Sequence, residues 1–543
     1  MATLTELRIK GYRSIRDEIV LRFPERTPVV LVGENNAGKT NVLRALDLLL
    51  GEQWPGSREP EDHDFWGRKR DTAPIEIQAS FNGMGDQGNV RSLIWRYAPQ
   101  EERKPCFEAV MNTGHRNRYV REEWREQCTC IWITADRRLS YHLSYASKWT
   151  FLSKLMNKFH SALVQNASRV EALKRKFDEI EEIFKDVDEF ASFESELSAM
   201  FEEMFSGMTY GLRVDFSAYD PSRYFHSLRV VPSEGDDRRA LDELGTGQEQ
   251  LLAFAFAHAY AKAFYGGIIL AIDEPEAHLH PLAQEWLAQK IHEMSQDGLQ
   301  IVLTTHSPHF INILDIEGLI LVRKDRCGST QICQLDKGKL AEYCRSKGAG
   351  KATPDNILNF YADHVTQEIL NGFFAKKIVL VEGATERLAI PVYLRKVGFD
   401  VTREGVAIIP VMGKGNIAKW WRLFTAYGIP TYITFDGDMG EDGDGRKRRD
   451  VLNTIGIPVQ QHNEILEYSD WIVQDRFCVF GKDFETEMRR QFPSYRKLEE
   501  EAQRQYGDSK PIIARYVANK LEDSEASGWE MYRRLGEAIG NLT

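Results

Sequence analysis

Apolar residues alternate or cluster over positions 3–10 and 18–23, which predicts two paired strands at the start of the chain. Positions 28–32 form a short, fully apolar strand that runs into a glycine-bounded loop, and 41–50 then take up a helical pattern. That is a βα opening. Between about 150 and 206 the spacing changes: Leu173, Phe177, Ile180, Phe184 and Val187 recur at four- and three-residue steps among Glu and Lys. Long helices are expected there, forming a hairpin or arm that either packs as a bundle on its neighbour or serves as a dimerisation surface. Apolar strands alternating with helices return over 228–323, notably at 268–272, 301–305 and 319–322, so a parallel α/β body resumes. A Gly-, Lys- and Ala-rich stretch at 345–354 marks a domain boundary. Buried-strand patterns at 378–381, 406–410 and 431–435, with helical segments between them, predict a second, smaller α/β domain.

With 543 residues, 42% hydrophobic and 28% charged, the chain has the composition of a globular protein of several domains. Its net charge of -11 argues against a generally basic coat. Nucleic-acid contact would have to come from local patches, and two clusters qualify: Arg68, Lys69 and Arg70, and the run from Arg446 to Arg449. Each is otherwise a solvated loop. Seven cysteines, scattered and without a paired C-x-x-C, indicate neither a disulfide framework nor a zinc site, which fits a reducing cytoplasm. The first residues follow a strand pattern rather than that of a secretory signal. The most apolar stretch, 251–272, carries His258 and Lys262 and a Gly266-Gly267 break, so it reads as a buried helix and a strand rather than a membrane span.

Gly33-Glu-Asn35-Asn36-Ala-Gly38-Lys39-Thr40 matches G-x-x-x-x-G-K-S/T between an apolar strand and a helix, the context that motif requires. A glycine-rich turn at a helix N-terminus lets backbone N–H groups wrap phosphates, Lys39 adds a positive charge, and Thr40 supplies a hydroxyl for magnesium. Downstream, the strand at 268–272 delivers Asp273, to hold the magnesium, and Glu274, to orient the attacking water. The adjoining Pro275-Glu276-Ala-His278-Leu-His280, together with Thr304-Thr305-His306-Ser307, resembles the D-loop and switch histidine of ABC ATPases. Leu244-Gly245-Thr246-Gly247-Gln248 stands where those proteins carry a signature that touches the nucleotide of an opposing subunit, although glycine replaces the usual serine. A separate zinc site at His278, His280 and His306 lacks further ligands at suitable spacing. The opening Leu-x-Ile-x-Gly-Tyr-Arg-Ser-Ile also resembles RecF and SMC-type heads.

A second constellation lies in the smaller domain. The strand at 378–381 ends in Glu382-Gly383, with Glu386 four residues beyond Glu382, and the strand at 431–435 ends in Asp436-Gly437-Asp438. Two strand ends of one parallel sheet thus direct up to four carboxylates toward one crevice. Such a set cannot stay ionised without cations, and hard oxygen ligands select Mg2+ or Mn2+. A calcium loop is the alternative, but position 447, where its glutamate belongs, is Lys447.

The paired E-G and D-x-D strand ends resemble the Toprim fold of topoisomerases, primases and OLD nucleases, and an ABC-type ATPase ahead of them singles out the OLD family. The resemblance spans essentially the whole chain. It implies an ATPase lobe at 1–149, a helical insertion or dimerisation arm at 150–209, a second ATPase lobe at 210–345, a linker at 346–375 and a Toprim domain at 376–543. Phe480-Gly-Lys482-Asp483-Phe-Glu485 resembles the family's third acidic motif and Ser509-Lys510-Pro511 its catalytic-lysine motif, with Lys482 and Asp483 as near alternatives. The site so implied has Glu382 and Asp436 on one ion, Asp438, Glu386 and Glu485 near a second, and Lys510 facing the phosphorus. The nucleotide site comprises Gly33, Asn35, Asn36, Gly38, Lys39, Thr40, Asp273, Glu274 and His306, with Gly247 from an opposing subunit. The resemblance implies an ATP-binding, metal-dependent DNA endonuclease acting by nicking or double-strand cleavage, a homodimer or homotetramer, in defence against bacteriophage or in DNA processing, and it leaves room for a separately encoded partner. The rivals are an SMC-like DNA-binding ATPase with a structural Toprim domain and a topoisomerase, which would need a nucleophilic tyrosine on a further domain.

Overall fold

The computed structural model describes residues 2–51, 53–70, 73–100, 104–133, 267–438, 445–467 and 470–542, together with short stretches between 153 and 259. The chain divides into two compact units, residues 1–134 with 265–543, and residues 135–264.

The first unit opens with β1 (Thr3–Lys10), β2 (Ile19–Arg22), β3 (Val29–Val32), the helix α1 (Lys39–Leu50), β4 (Ile75–Met84), β5 (Val90–Tyr97), β6 (Cys106–Met111), β7 (Arg116–Asn117) and β8 (Thr129–Ile133). The described elements of the second unit are the helix α2 (Ala167–Lys185) and a pair of two-residue strands, β9 (Ser233–Glu234) and β10 (Asp237–Arg238). This unit spans the expected insertion of 150–209 and extends past it on both sides. The first unit resumes with β11 (Ile268–Asp273), α3 (Pro281–Gln296), β12 (Gln300–Thr304), β13 (Leu319–Lys324) and β14 (Thr330–Gln334).

The alternating strands β1, β2 and β4 to β7 make an antiparallel sheet of order β2-β1-β4-β5-β6-β7, in which Leu7 pairs Leu21 and Ile9 pairs Ile19. The continuous apolar strands make a mainly parallel sheet, β14-β13-β3-β12-β11-β8, as expected of strands buried on both faces. Ile9, Leu21, Val42, Leu46, Ile77 and Ala271 belong to one core that joins both sheets through α1.

Residues 346–375, expected as a linker, fold into short helical turns that bury Tyr361, Ile369 and Phe373. They lead into β15 (Lys377–Val381), α4 (Ala384–Lys396), β16 (Val406–Pro410), α5 (Lys414–Ala426), β17 (Thr431–Asp436), α6 (Arg446–Thr454), β18 (Ile472–Val473), β19 (Phe477–Phe480), α7 (Phe484–Gln491) and α8 (Lys510–Lys520). The sheet order is β16-β15-β17-β19-β18, parallel except for β18. Val379, Tyr393, Phe480, Val517 and Tyr532 share its core.

The two α/β bodies of this unit meet beside β13 and β14. The Arg323 guanidinium donates to the carbonyls of Gly428 (3.0 Å), Ala375 (2.9 Å) and Lys376 (2.7 Å). His306, beyond β12, lies 6.2 Å from the ring of Phe374, three residues before β15. Among the described residues no helix is long and apolar enough to cross a membrane.

Candidate functional site

In the nucleotide-type loop, β3 is buried throughout and lies between β13 and β12, so the turn after it leaves from the middle of the sheet. Gly38 precedes α1 with φ 108°, and a Cβ there would sit 2.2 Å from Thr330 Oγ1, so a side chain has neither the conformation nor the room. Lys39 is buried and donates to the carbonyls of Gly33 (3.0 Å) and Glu34 (2.9 Å), closing the loop on itself. Burial pushes its amine down to about 8, against the pull of Glu274, Asp273, Glu276 and Glu34. Asn35 and Asn36 are exposed at the loop tip, Asn36 with φ 63°.

Strand β12 lies between β3 and β11 and couples their ends. Asp273 Oδ1 accepts from Thr40 Oγ1 at 3.1 Å and from the Thr304 hydroxyl. The Glu274 backbone N–H donates to Thr304 Oγ1 at 3.1 Å and holds Glu274 at φ 52°, with His306 Nε2 3.8 Å from its carboxylate. Burial keeps the His306 imidazole below its ordinary value, and the Lys39 charge adds to the effect. Glu276, to which sequence reasoning gave no separate role, accepts from the His306 N–H and from Thr305 Oγ1, fixing the backbone at His306. His280 is a helix cap: its Nδ1 accepts from Ala283 N at 3.2 Å. Gly247 lies outside the described residues.

The four parallel strands of the smaller sheet each deliver a charged side chain to the same end. From β15 comes Glu382, whose Oε1 accepts from Asp436 N at 2.7 Å, and then Glu386, buried in α4, whose Oε2 accepts from Gly383 N at 3.0 Å. From β17 come Asp436, accepting from Phe484 N at 3.0 Å, and Asp438, in the left-handed region at φ 42°. Gly437 between them is required by close approach, since its Cβ would fall 1.7 Å from the Gly481 carbonyl oxygen. From β19 comes α7, with Glu485 in its first turn. Asp483 is the cap of α7, accepting from Thr486 N (2.6 Å) and Thr486 Oγ1 (2.8 Å), which leaves Glu485 as the acidic residue turned to Lys510, 4.0 Å away.

The fourth strand supplies a residue that sequence reasoning missed. Lys414, the first residue of α5 after β16, is buried with its ammonium against Asp438 and 3.5 Å from Glu382. Its signal was Gly413-Lys414-Gly415 just beyond a buried strand, a pattern that alone suggests only a turn.

Burial pushes the Glu382 carboxyl up to about 7, with Lys414 opposing and Asp438 and Glu386 adding repulsion. Burial also holds Asp436 well above the carboxylate range, reinforced by Glu382, Glu386 and Asp438, while Glu386 is raised by burial despite its backbone donors. Hard oxygen donors that repel one another at a sheet end fit a divalent cation. As they stand, the carboxylates are occupied by backbone N–H groups and Lys414, and among the described residues no three His, Cys, Asp or Glu side chains close on one point. Coordination therefore needs side-chain rotation away from these internal donors. Of the two basic clusters, Arg448 is buried and donates to the Gly437 carbonyl, supporting the acidic turn, and Arg70 pairs with Asp62 at 2.6 Å.

Residues 29–312 match the family described as "AAA domain, putative AbiEii toxin, Type IV TA system", and residues 373–438 match that described as "Overcoming lysogenization defect protein-like, TOPRIM domain". The chain is similar to the OLD nuclease of Thermus scotoductus, 27% identical over 462 residues that cover 80% of this chain and 82% of the relative. It is also similar to the Old nuclease of Escherichia phage P2, 20% identical over 492 residues, 83% of this chain and 80% of that one. A shorter likeness, 23% identical over 215 residues, covers 37% of this chain and 31% of Endonuclease GajA of Bacillus cereus. The first match takes in the loop at Gly33 to Thr40 with Asp273 and His306, and the second takes in Glu382, Lys414, Asp436 and Asp438. The chain belongs to the AAA-domain family and carries an OLD-like Toprim domain behind that ATPase.

Proposed function

We propose that this protein is an ATP-binding DNA endonuclease that hydrolyses phosphodiesters with Mg2+ or Mn2+ at the end of the smaller sheet. The observation that carries the reading is that Glu382, Asp436, Asp438 and Glu485 follow the same ends of three adjacent parallel strands, with Lys510 across from Glu485. The nuclease names of the relatives support it. Bound divalent ions supply an activated water and stabilise the leaving oxygen in such sites. Glu382 and Asp436 would hold one ion, and Asp438, Glu386 and Glu485 a second. The chain itself keeps these carboxylates partly desolvated, braces Asp436 through the Phe484 N–H, and presents the exposed Lys510 ammonium to a phosphate.

At the other site, Lys39 and the α1 N-terminus would bind the nucleotide phosphates, the adjacent Thr40 and Asp273 would hold its magnesium, and the neighbouring Glu274 and His306 would serve the γ-phosphate. We place the protein in the cytoplasm as a homodimer or homotetramer, with Gly247 facing the nucleotide of an opposing subunit and 150–209 as the dimerisation arm, acting against bacteriophage. Supercoiled plasmid incubated with the purified protein and Mn2+ should be converted to nicked and linear forms, and EDTA should stop it. Intact plasmid with either metal, with and without ATP, would sink the proposal. Light scattering reads the oligomer, and phage plating on expressing cells reads the defence role.

A further inference from the structure

Lys414 is an unusual residue to find where it is. A buried ammonium is costly unless compensated, and the first turn of a helix repels positive charge. Yet Lys414 begins α5 and is almost fully buried. The backbone fixes it there: Val411 N–H donates to the Val381 carbonyl at 3.0 Å and Gly413 N–H to the Glu382 carbonyl at 2.8 Å, pinning the start of α5 beside the end of β15. Asn416 Nδ2 closes the turn on the Val411 carbonyl at 3.0 Å. What compensates the ammonium is the pair of carboxylates it bridges, Glu382 from β15 and Asp438 from β17.

These two are among the residues proposed as metal ligands, so the inference rests on that reading. An ammonium and a divalent cation compete for the same oxygens, and the interaction of either with a carboxylate is strong in a partly buried site. We propose that Lys414 is a positioning residue that acts as a built-in counter-ion: it holds Glu382 and Asp438 together before metal binds, and the incoming ion displaces it. The protein thereby keeps a folded site with its carboxylate charge partly neutralised at low metal and sets a threshold for loading. This differs from a lysine that binds substrate phosphate, whose removal leaves metal affinity alone, and from a lysine that merely buttresses the site, whose removal weakens it.

The test is Mn2+ binding to the full chain by calorimetry, without DNA or nucleotide. Lys414→Met, which keeps the length and removes the charge, is expected to tighten Mn2+ binding by about ten-fold. Lys414→Arg, which keeps the charge, is expected to stay within about three-fold of the wild type. Unchanged or weaker binding by Lys414→Met overturns the inference, as does equal tightening by both variants. A readout on the wild-type protein does not depend on either variant folding: acetylation of Lys414, followed by peptide mass spectrometry and scaled to the exposed Lys497, should be slow without Mn2+ and faster with it. Labelling that is unchanged or slowed by Mn2+ overturns the displacement. If the wild type binds no Mn2+ at all, the metal-site reading falls and this inference with it; if the wild type binds and Lys414→Met binds no tighter, only the inference falls.

Discussion

Thr40 Oγ1 and Asp273 Oδ1 lie 3.1 Å apart although 233 positions separate them in the sequence, because β12 sits between their strands and its Thr304 bonds the same carboxylate oxygen. The nucleotide site is thus assembled in the folded chain, with Lys39 turned onto its own loop carbonyls. Lys39→Ala should weaken nucleotide binding by about ten- to a hundred-fold, the worth of charge-assisted hydrogen bonds to phosphate. Titration of a fluorescent ATP analogue measures this. Plasmid cleavage with Mn2+ and no ATP should persist in the folded variant, because Lys39 touches none of the carboxylates on the smaller sheet. Loss of that cleavage would show that the two sites do not act separately and would direct attention to the Arg323 junction.

Glu382→Ala and Asp436→Ala should each abolish plasmid cleavage while ATP hydrolysis continues. Glu382→Ala also removes the acceptor of the Asp436 N–H, and Asp436→Ala removes the acceptor of the Phe484 N–H, so each variant also loosens a neighbouring strand end. Losing a metal ligand removes several kcal/mol of transition-state stabilisation. Cleavage by Asp436→Ala with wild-type metal dependence is incompatible with the role assigned to the smaller sheet.

Acidity should oppose metal loading. Burial pushes Glu382 up to about 7 from an ordinary 4.5, so in the metal-free protein the folded chain holds a proton there that the unfolded chain has released. That contribution favours the metal-free fold at low pH and is lost as pH rises from about 4.5 through 7. Metal must displace the proton, so its affinity moves the opposite way, and Mn2+ should bind about ten-fold more weakly at pH 6 than at pH 8. The melting-temperature gain on adding Mn2+ should accordingly be smaller at pH 6. Equal gains at both values would mean that Glu382 is not a ligand.

Much of this site was legible because its residues stand at the ends of long apolar runs. The pattern at 378–381 became Lys377–Val381, that at 431–435 became Thr431–Asp436, and the ligand candidates came from where those runs stop. Lys414 was not legible, since its meaning depends on β16 lying beside β15, a pairing that no local spacing reveals. Glu485 and Asp483 could not be ranked by spacing either. Their difference is a cap bond to Thr486, visible only once the helix start is fixed. Residues 346–375 looked like a linker because Gly, Lys and Ala dominate their first part, but Tyr361 and Phe373 further on bury aromatic surface.

Gly437→Ala tests whether the acidic turn is as tightly built as it looks. The added Cβ would meet the Gly481 carbonyl oxygen at 1.7 Å, which backbone movement alone can relieve, and that movement shifts Asp436 and Asp438. A loss of stability on the order of 3 kcal/mol is expected, read by urea unfolding, with cleavage lost alongside. Wild-type stability and cleavage would mean that the β17 and β19 turns are further apart in solution.

Lys510→Ala is the most demanding test of the proposed chemistry. The side chain is 76% exposed at the first turn of α8, the setting of an ordinary surface lysine, and its ammonium lies 4.0 Å from the Glu485 carboxylate. Two features favour a role in the reaction. Pro511 fixes the helix start, so the lysine stem leaves from a defined position. Glu485 in turn is close enough to Glu386 for their charges to interact, which puts Lys510 on the rim of the carboxylate site rather than out on a remote surface. An exposed ammonium at a site rim can reach a phosphate without entering the metal positions. Removing it should slow cleavage by about a hundred- to a thousand-fold, the scale of losing one group that stabilises developing charge. Mn2+ affinity should remain near wild type, because Lys510 ligates nothing. Single-turnover cleavage at saturating Mn2+ separates the two quantities. Cleavage at the normal rate would move the role to Lys482 on the neighbouring turn and leave the carboxylates as they are.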